Sequence, residues 1–420
     1  MIALLVILLI ALALFGMPLF AVLGSIAVAL FHHADIDISS VAVSMYTLAG
    51  SPLLVAIPLF TFAGYLFAHS KAPDRLVNLS RALFPGGLAV VALVSCAIFT
   101  AFTGASGVTI IAMGGLLMPA LMKDGYAKRF NLGLLTASGS LGLLFPPSLP
   151  LILYGYVAAV SVDELFLAGL LPGILLVVVL SIFGFWRGQK DGVVRESLSL
   201  QKVMAALKGA AWEVPLPIMV LGGIYTGIIT VMEAAALTAF YALLVEVFIY
   251  RDVSLRQLPG IVAESMMLVG GILIILACAL GLTNFLIDAE IPMQLLDWMQ
   301  QYVTSKYTFL LLLNVFLLIV GCLMDIFSAL IVVVPLIAPV AAGFGVDPIH
   351  LGIIFLTNLE IGYLTPPVGL NLFISSYRFN EPVISLYAAS LPFLLLLLAA
   401  LVVITYIPAI SLFLVGLVGH

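Results

Sequence analysis

Apolar residues run through this chain in long blocks, without the alternation that would mark half-buried strands. Blocks at 2–15, 17–31, 45–68, 166–186, 213–229, 233–250, 262–287 and 391–416 predict helices near the roughly 20 residues needed to cross a bilayer. The chain has room for about ten such crossings plus shorter pieces. Gly16-Met17-Pro18 divides the first two blocks, because proline lacks an N–H and fixes φ. Two regions pattern differently. Runs 88–102 and 108–122 are separated by Thr103-Gly-Ala-Ser-Gly107, and runs 308–323 and 329–344 by Asp325 and Ser328. Each run of about fifteen residues reaches only ~22 Å as a helix, too short to cross untilted, so each pair predicts a re-entrant hairpin. The segments 70–84 and 289–303 precede the hairpins. The second sets Ile291, Leu295, Leu296, Trp298 and Met299 against Gln294, Asp297 and Gln300, a pattern for a helix lying along the membrane surface.

Composition agrees. Apolar residues make up 64% of the chain and charged residues 8%, and the mean hydropathy is +1.31. Soluble domains run near 45–50% and about 25% respectively. The fold class is therefore an all-α membrane protein, and a soluble enzyme with an anchor is excluded. A net charge of −5 gives no basic surface for a polyanion, so no nucleic-acid partner is expected; the partner at every span is the lipid bilayer. No Gly-x-x-x-x-Gly-Lys-[Ser/Thr] loop occurs, which leaves ATP-driven pumping unsupported. Cys96, Cys278 and Cys322 sit far apart in apolar runs, suggesting neither a disulfide framework nor zinc. The opening Met-Ile-Ala-Leu-Leu lacks a basic flank and a cleavage site, and reads as a retained helix.

Lysine and arginine set the orientation. Arg187, Lys190, Arg195, Lys202 and Lys208 make 187–211 a cytoplasmic linker, and Lys71, Arg75, Arg81, Lys123, Lys128 and Arg129 flank the first hairpin. Acidic residues mark the opposite connections at Asp35, Asp37, Asp163, Glu164, Asp288 and Glu290. Counting spans puts both termini outside and makes the two hairpins enter from opposite sides.

Displacing the chain by 220 residues lays 119–172 on 339–392 without a gap. Pro119, Pro146, Pro147 and Pro172 then fall on Pro339, Pro366, Pro367 and Pro392, with Gly125 on Gly345 and Gly142 on Gly362. Chance would align about 0.6 prolines over such a stretch, so this is an internal repeat. Opposite entry of the hairpins makes it inverted. The first repeat covers 1–186, with a hairpin near 88–122 and a broken helix near 131–158. The second covers 212–420, with a hairpin near 308–344 and a broken helix near 350–376.

Each half thus has a polar hairpin tip followed by a span interrupted at a double proline. Proline leaves carbonyl oxygens one turn back unpaired at membrane depth, and those oxygens require a cation, water or protein donor. Broken-helix C-terminal ends suit Na+, whereas hairpin and half-helix N-termini offer N–H groups to a carboxylate.

The runs Gly104-Ala-Ser-Gly107 and Gly142-Leu-Leu-Phe-Pro-Pro-Ser-Leu-Pro150, and above all Asn358-Leu-Glu-Ile-Gly-Tyr-Leu-Thr-Pro-Pro-Val-Gly-Leu-Asn371, resemble the large membrane subunit (DctM-like) of tripartite ATP-independent periplasmic (TRAP) transporters. The resemblance covers nearly the whole chain. It implies sodium-coupled import of a small organic acid anion, with a transport domain moving against a scaffold as an elevator. It also implies a bacterial inner-membrane location and two partners, a small four-helix membrane subunit and a periplasmic substrate-binding protein. Carried over by motif, Gly104, Ser106, Gly142, Phe145 and Pro146 resemble a first sodium site and Asp325, Ser328, Gly362 and Thr365 a second, so at least two sodium ions are implied. The substrate would lie near Ser138, Ser140 and Asn358.

Three further readings complete the picture. Asp325 either caps the second hairpin's returning helix through N–H bonds near Ser328 or ligates a cation, and the roles are compatible. Glu360 would repel an anionic substrate unless protonated or facing water, and is not assigned as a ligand. Glu233, Glu246 and Glu264 read as interfacial acids at span ends, and Trp186, Trp212 and Trp298 as interface anchors. A rival function exists, because Gly104-Ala-Ser106-Gly107 also fits the Gly-x-Ser-Gly pattern of intramembrane serine proteases. That chemistry needs a membrane-embedded base, and His32, His33, His69, His350 and His420 all fall in loops or at span ends.

Overall fold

A computed structural model describes residues 8–9, 11–12, 16–84, 87–193 and 199–418, and no strand forms among them. The run 2–15 lies mostly outside the described residues. Seven described helices are long and apolar enough to cross a bilayer, or nine if two bent pairs each count as one span. Shorter apolar helices, such as Leu19–His33, Pro215–Tyr225 and Pro348–Gly362, account for the difference from the ten expected.

Both hairpins form. The first pairs Leu88–Thr103 with Ser106–Lys123 and the second pairs Lys306–Leu323 with Ile326–Gly343. Amphipathic helices Ala72–Leu83 and Ile291–Tyr302 precede them. Each hairpin is followed by a broken helix: Lys128–Ser138, a short 3₁₀ turn and Leu149–Val157 in the first half, Pro348–Gly362 and Leu370–Phe379 in the second. A long helix then closes each half, Val162–Lys190 or Val383–Tyr406. The peptide between the paired prolines is cis at both breaks. The same order of elements therefore recurs in both halves, as the proline alignment requires.

The two leading half-helices are the centre of the molecule. Every residue from Phe130 to Ser138 and from His350 to Gly362 is buried. A helix apolar all round must be covered all round, and these two are enclosed by the hairpins and the long helices.

Three runs depart from the simple pattern. The run 45–68 bends by 60° between Ser39–Leu48 and Pro52–Ala68, because Pro52 cannot donate to the preceding turn. The run 391–416 ends its first helix at Tyr406, before Pro408, and continues as Ala409–Val418. Within the linker 187–211, residues Leu200–Gly209 are helical with no buried residue, so only part of it is a loop; Arg195 lies outside the described residues.

Glu246 corrects the interfacial reading of the span-end acids. It is fully buried in the π-helical turn Leu244–Ile249, and both its oxygens accept from Arg75 Nη2 at 3.0 and 3.1 Å. Arg75 also bonds Glu213 and Asp252, and its guanidinium carbon lies 3.9 Å from the centre of the Tyr250 ring. The surface helix Ala72–Leu83 is thereby tied to the segment 213–252 through one cation and three carboxylates. Glu233 instead caps its own helix with Thr230, and Glu264 pairs with His69 at 3.3 Å, both at the surface. Trp186, Trp212 and Trp298 are all exposed, as anchors would be.

Candidate functional site

The first hairpin tip is built on Gly104, whose φ of +64° is a left-handed conformation that glycine adopts without penalty. Ala105 is extended and Ser106 starts the returning helix, so the tip turns within two residues. A Cβ on Gly104 would strike Leu149, the first residue after the proline break. Thr100 Oγ1 lies 2.9 Å from the Gly139 carbonyl and 2.7 Å from Thr109 Oγ1, which joins both hairpin helices to the break. Gly142 sits against the backbone of Ala97 and Ala101 so closely that no Cβ fits. Thus Gly104 and Ser106 border the break at Leu149 and Gly139, and Gly142 borders the hairpin helix Leu88–Thr103. Thr103 Oγ1, next to Gly104, is fully buried without a donor or acceptor partner among the described residues. Phe145 points elsewhere: its ring packs on Gly173 of the long helix, and Pro146 lines a crevice beside it.

The second tip repeats the plan with different side chains. Asp325 accepts from the Phe327 and Ser328 backbone N–H groups at 3.0 Å each, and the Ser328 hydroxyl donates to its other oxygen. Capping is therefore the contact Asp325 makes, and the carboxylate satisfies helix donors that would otherwise stay unpaired. It is exposed at the surface of the chain rather than sealed among apolar neighbours. Tyr363 Oη accepts from Ile326 N–H at 2.6 Å, and Gly369 N–H donates to the Cys322 carbonyl at 3.1 Å. Gly362 packs backbone to backbone on Gly321. Thr365 donates to Ile361 one turn back. Each tip is therefore seated on the break of its own half, through a glycine at the same repeat position.

The three residues placed near a substrate make different contacts. Ser140 lies where the halves cross: it receives Asn371 Nδ2 at 3.4 Å, which also donates to the Thr136 carbonyl, and its hydroxyl approaches the Glu360 carbonyl at 3.5 Å. Ser138 bonds Leu135 within its own helix. Asn358 joins a buried chain with Asn314 and Thr405, donating to Asn314 Oδ1 at 2.6 Å. Glu360 is buried, and neither carboxylate oxygen has a partner among the described residues. Thr100, Thr109, Tyr363 and Asn371 were not singled out from the sequence as site residues. Tyr363 and Asn371 stand within the long motif, whereas Thr100 and Thr109 carry no signal beyond being polar in an apolar run.

Among the described residues no histidine bonds Ser106. His350 bonds Ser411 Oγ and the Thr405 carbonyl, and His69 faces Glu264. Among the described residues no group of three His, Cys, Asp or Glu forms a metal site.

Residues 4–410 match the family model of the tripartite ATP-independent periplasmic transporter, DctM component. The chain belongs to this family. It is the large permease subunit of a TRAP transporter, a multi-pass membrane protein and not an enzyme. Over 98% of both chains it is 38% identical to the C4-dicarboxylate TRAP transporter large permease protein DctM of Rhodobacter capsulatus. It is 36% identical to the isethionate TRAP transporter permease protein DctMQ of Oleidesulfovibrio alaskensis, covering 96% of this chain and 64% of that longer one. Among solved structures it resembles the Alcanivorax borkumensis YdaH transporter, described as having an unusual topology. That match has a TM-score of 0.66 at 13% identity over 96% and 98% of the two chains, a likeness of fold.

Proposed function

We propose that this large permease carries out sodium-coupled import of a small organic acid anion across a bacterial inner membrane, by an elevator motion. The hairpins and broken helices would form the moving transport domain, and the remaining long helices and the two surface helices its scaffold. The observation that carries this is the seating of each hairpin tip on the glycine-proline break of its own half. Broken helices and tips at membrane depth supply carbonyl oxygens for cations and N–H groups for an anion. The orphaned Thr103 oxygen beside Gly104 fits a sodium ligand in the first half. In the second, the Ser328 hydroxyl and Asp325 would serve, with Gly362 and Thr365 contributing backbone oxygens. Two such sites suggest at least two Na+ per cycle, and cations between the tips would offset the charge of the substrate. Ser138, Ser140 and Asn358 remain the proposed substrate side, with Ser140 the best placed of them at the crossing of the halves.

The substrate class follows the relatives, whose names specify a C4-dicarboxylate and isethionate, both small organic anions. A small membrane subunit and a periplasmic binding protein would complete the transporter. The DctMQ relative, longer than this chain, fits a fused small subunit. The permease reconstituted alone should accumulate no substrate, and adding both partners with loaded binding protein should restore uptake. The direct test of coupling is initial uptake against external Na+ at fixed membrane potential. A sigmoidal curve is expected, and uptake unchanged when choline replaces Na+ would end the sodium reading. In the same assay Asp325→Asn should lower apparent Na+ affinity if the carboxylate helps hold the ion. A purely capping carboxylate predicts instead an unmoved sodium curve, with Asp325→Ala lowering thermal stability by about 1 kcal/mol.

Inversion of the two halves has its own test. Single cysteines replacing Lys208 and Asp163 in a Cys-free background should react from opposite sides with an impermeant thiol reagent. Equal labelling of both from outside would remove the inverted arrangement.

A further inference from the structure

The two halves touch at equivalent positions. Ser140 and Glu360 are 220 residues apart, the displacement that lays one proline break on the other, and the Ser140 hydroxyl approaches the Glu360 carbonyl at 3.5 Å. With the halves related by a two-fold axis, only points near that axis lie beside their own equivalents, so Glu360 stands where the halves cross. Its side chain is 1% exposed, and neither carboxylate oxygen has a partner among the described residues. Beyond Gly362 the chain soon reaches the surface. Pro366, Pro367 and Val368 are exposed, as is Asp325 on the hairpin tip seated there, whereas Pro146, Pro147 and Ser148 of the first break are buried.

Among the described residues, the principal elements packed on the helix Pro348–Gly362 offer this carboxylate no counter-charge. Leu141–Leu144, Leu149–Val157, Ile326–Gly343, Val383–Tyr406 and Ala409–Val418 contain no Asp, Glu, Lys, Arg or His. Lys306–Leu323 and Val162–Lys190 carry charge only in their terminal turns, at Lys306 and at Asp163, Glu164, Arg187 and Lys190. Asp325 and Asp347 cap the helices they precede. The buried titratable groups His350, Tyr154 and Tyr363 bond Ser411, the Pro348 carbonyl and the Ile326 N–H. The Asn358 and Asn371 amides bond Asn314, Thr136 and Ser140, and neither bonds Glu360. An unpaired charge at such a place is costly, and acids at membrane depth that lack a partner mark ion or proton pathways.

We propose that Glu360 carries a proton in the transport cycle, an inference that rests on the organic-anion transport proposed above. The carboxyl is neutral while the anion is bound, because Ser140, the best placed of the proposed substrate residues, adjoins it and a second negative charge there would repel the anion. Once the anion has left toward the cytoplasm, that repulsion is gone. The Glu360 O–H bond then breaks, water at the opened break takes the proton, and a carboxylate remains. It takes a proton back from periplasmic water before the next anion is held. Anion binding and protonation favour each other by the same factor, so a proton enters with each anion, in addition to Na+.

Two readouts test this. The infrared difference between the full chain and Glu360→Gln, both in nanodiscs at neutral pH, should contain the C=O stretch of a protonated carboxylic acid. The second readout uses proteoliposomes holding the permease, the small subunit and a binding protein loaded with isethionate, a sulfonate that carries no proton itself. A pH dye trapped inside, at clamped membrane potential, should report a proton entering with each isethionate. Uptake should fall as external pH rises, since the carboxylate is refilled from that side. Glu360→Gln should abolish the acidification and leave any surviving uptake insensitive to external pH, whereas Glu360→Asp, which keeps the acid, should retain both. Matching melting temperatures verify the fold of the variants. Uptake without acidification in the unaltered chain overturns the proposal, as does acidification undiminished in Glu360→Gln. If the unaltered transporter takes up no isethionate, that result counts against the transport reading alone, and the infrared band decides: its absence overturns the proton on Glu360.

Discussion

Gly362→Ala is expected to stop uptake by the assembled transporter and to lower its thermal stability. A Cβ at this position would lie 2.6 Å from the Gly321 carbonyl carbon and 3.0 Å from the Cys322 nitrogen, both backbone atoms of the second hairpin. Backbone cannot swing aside as a side-chain tip can, so the tip must lift off the break. Overpacking of this kind costs about 1–3 kcal/mol, and a lifted tip would also open any ion site between the two surfaces. Gly142→Ala should do the same in the first half, where the obstacles are the Ala97 carbonyl and the Ala101 nitrogen. Gly270→Ala is the control. It lies within the helix Leu258–Asp288 with nothing within 4 Å of a new Cβ, so it should be neutral or stabilise by about 0.4–1 kcal/mol. Initial uptake rate and melting temperature on the three variants decide the matter. Normal uptake by Gly362→Ala would mean that the contact between tip and break is not needed in the cycle.

Arg75→Ala should be the most destabilising single change outside the breaks, at about 3 kcal/mol or more. The side chain is 14% exposed and its partners Glu213, Glu246 and Asp252 are 6%, 0% and 8% exposed. Removing the one cation bonded to Glu246 among the described residues leaves an uncompensated carboxylate in the interior, which is far more costly than losing the pair itself. Restoring the balance by replacing Glu246 with Gln in the same chain should recover part of the loss. Thermal unfolding in detergent would measure both. If the single and double changes are equally unstable, the effect comes from lost packing on Tyr250 rather than from charge. The surface helix would lose its tie to segment 213–252, so uptake by surviving protein should fall as well, since the proposed scaffold would no longer hold that helix in place.

The sequence by itself determined the elements that break rules. Two pairs of short apolar runs read as paired helices around a polar turn, and both pairs formed with bounds within three residues of those expected. The double prolines at 146–147 and 366–367 read as breaks because proline's missing donor and fixed φ act locally, whatever surrounds them. The amphipathic segment near 289–303 became the helix Ile291–Tyr302 for the same kind of reason, its pattern being set by neighbours along the chain. Family membership was legible in the run Asn358–Asn371 and agrees with the match over 4–410. Tertiary structure alone decided what depends on distant partners. Glu246 looked interfacial from its place at a span end, and only the fold brought it to Arg75, 171 residues away. Phe145 stood in the motif beside Gly142, yet packing turned its ring onto Gly173 and into the crevice. Asn358 stands at the start of the motif, and only the fold shows its amide donating to Asn314, 44 residues away. Backbone breaks are written in residue type and spacing. Side-chain direction and charge pairing are set by which helices meet, and one long apolar run gives almost no information about which of its faces meets which neighbour.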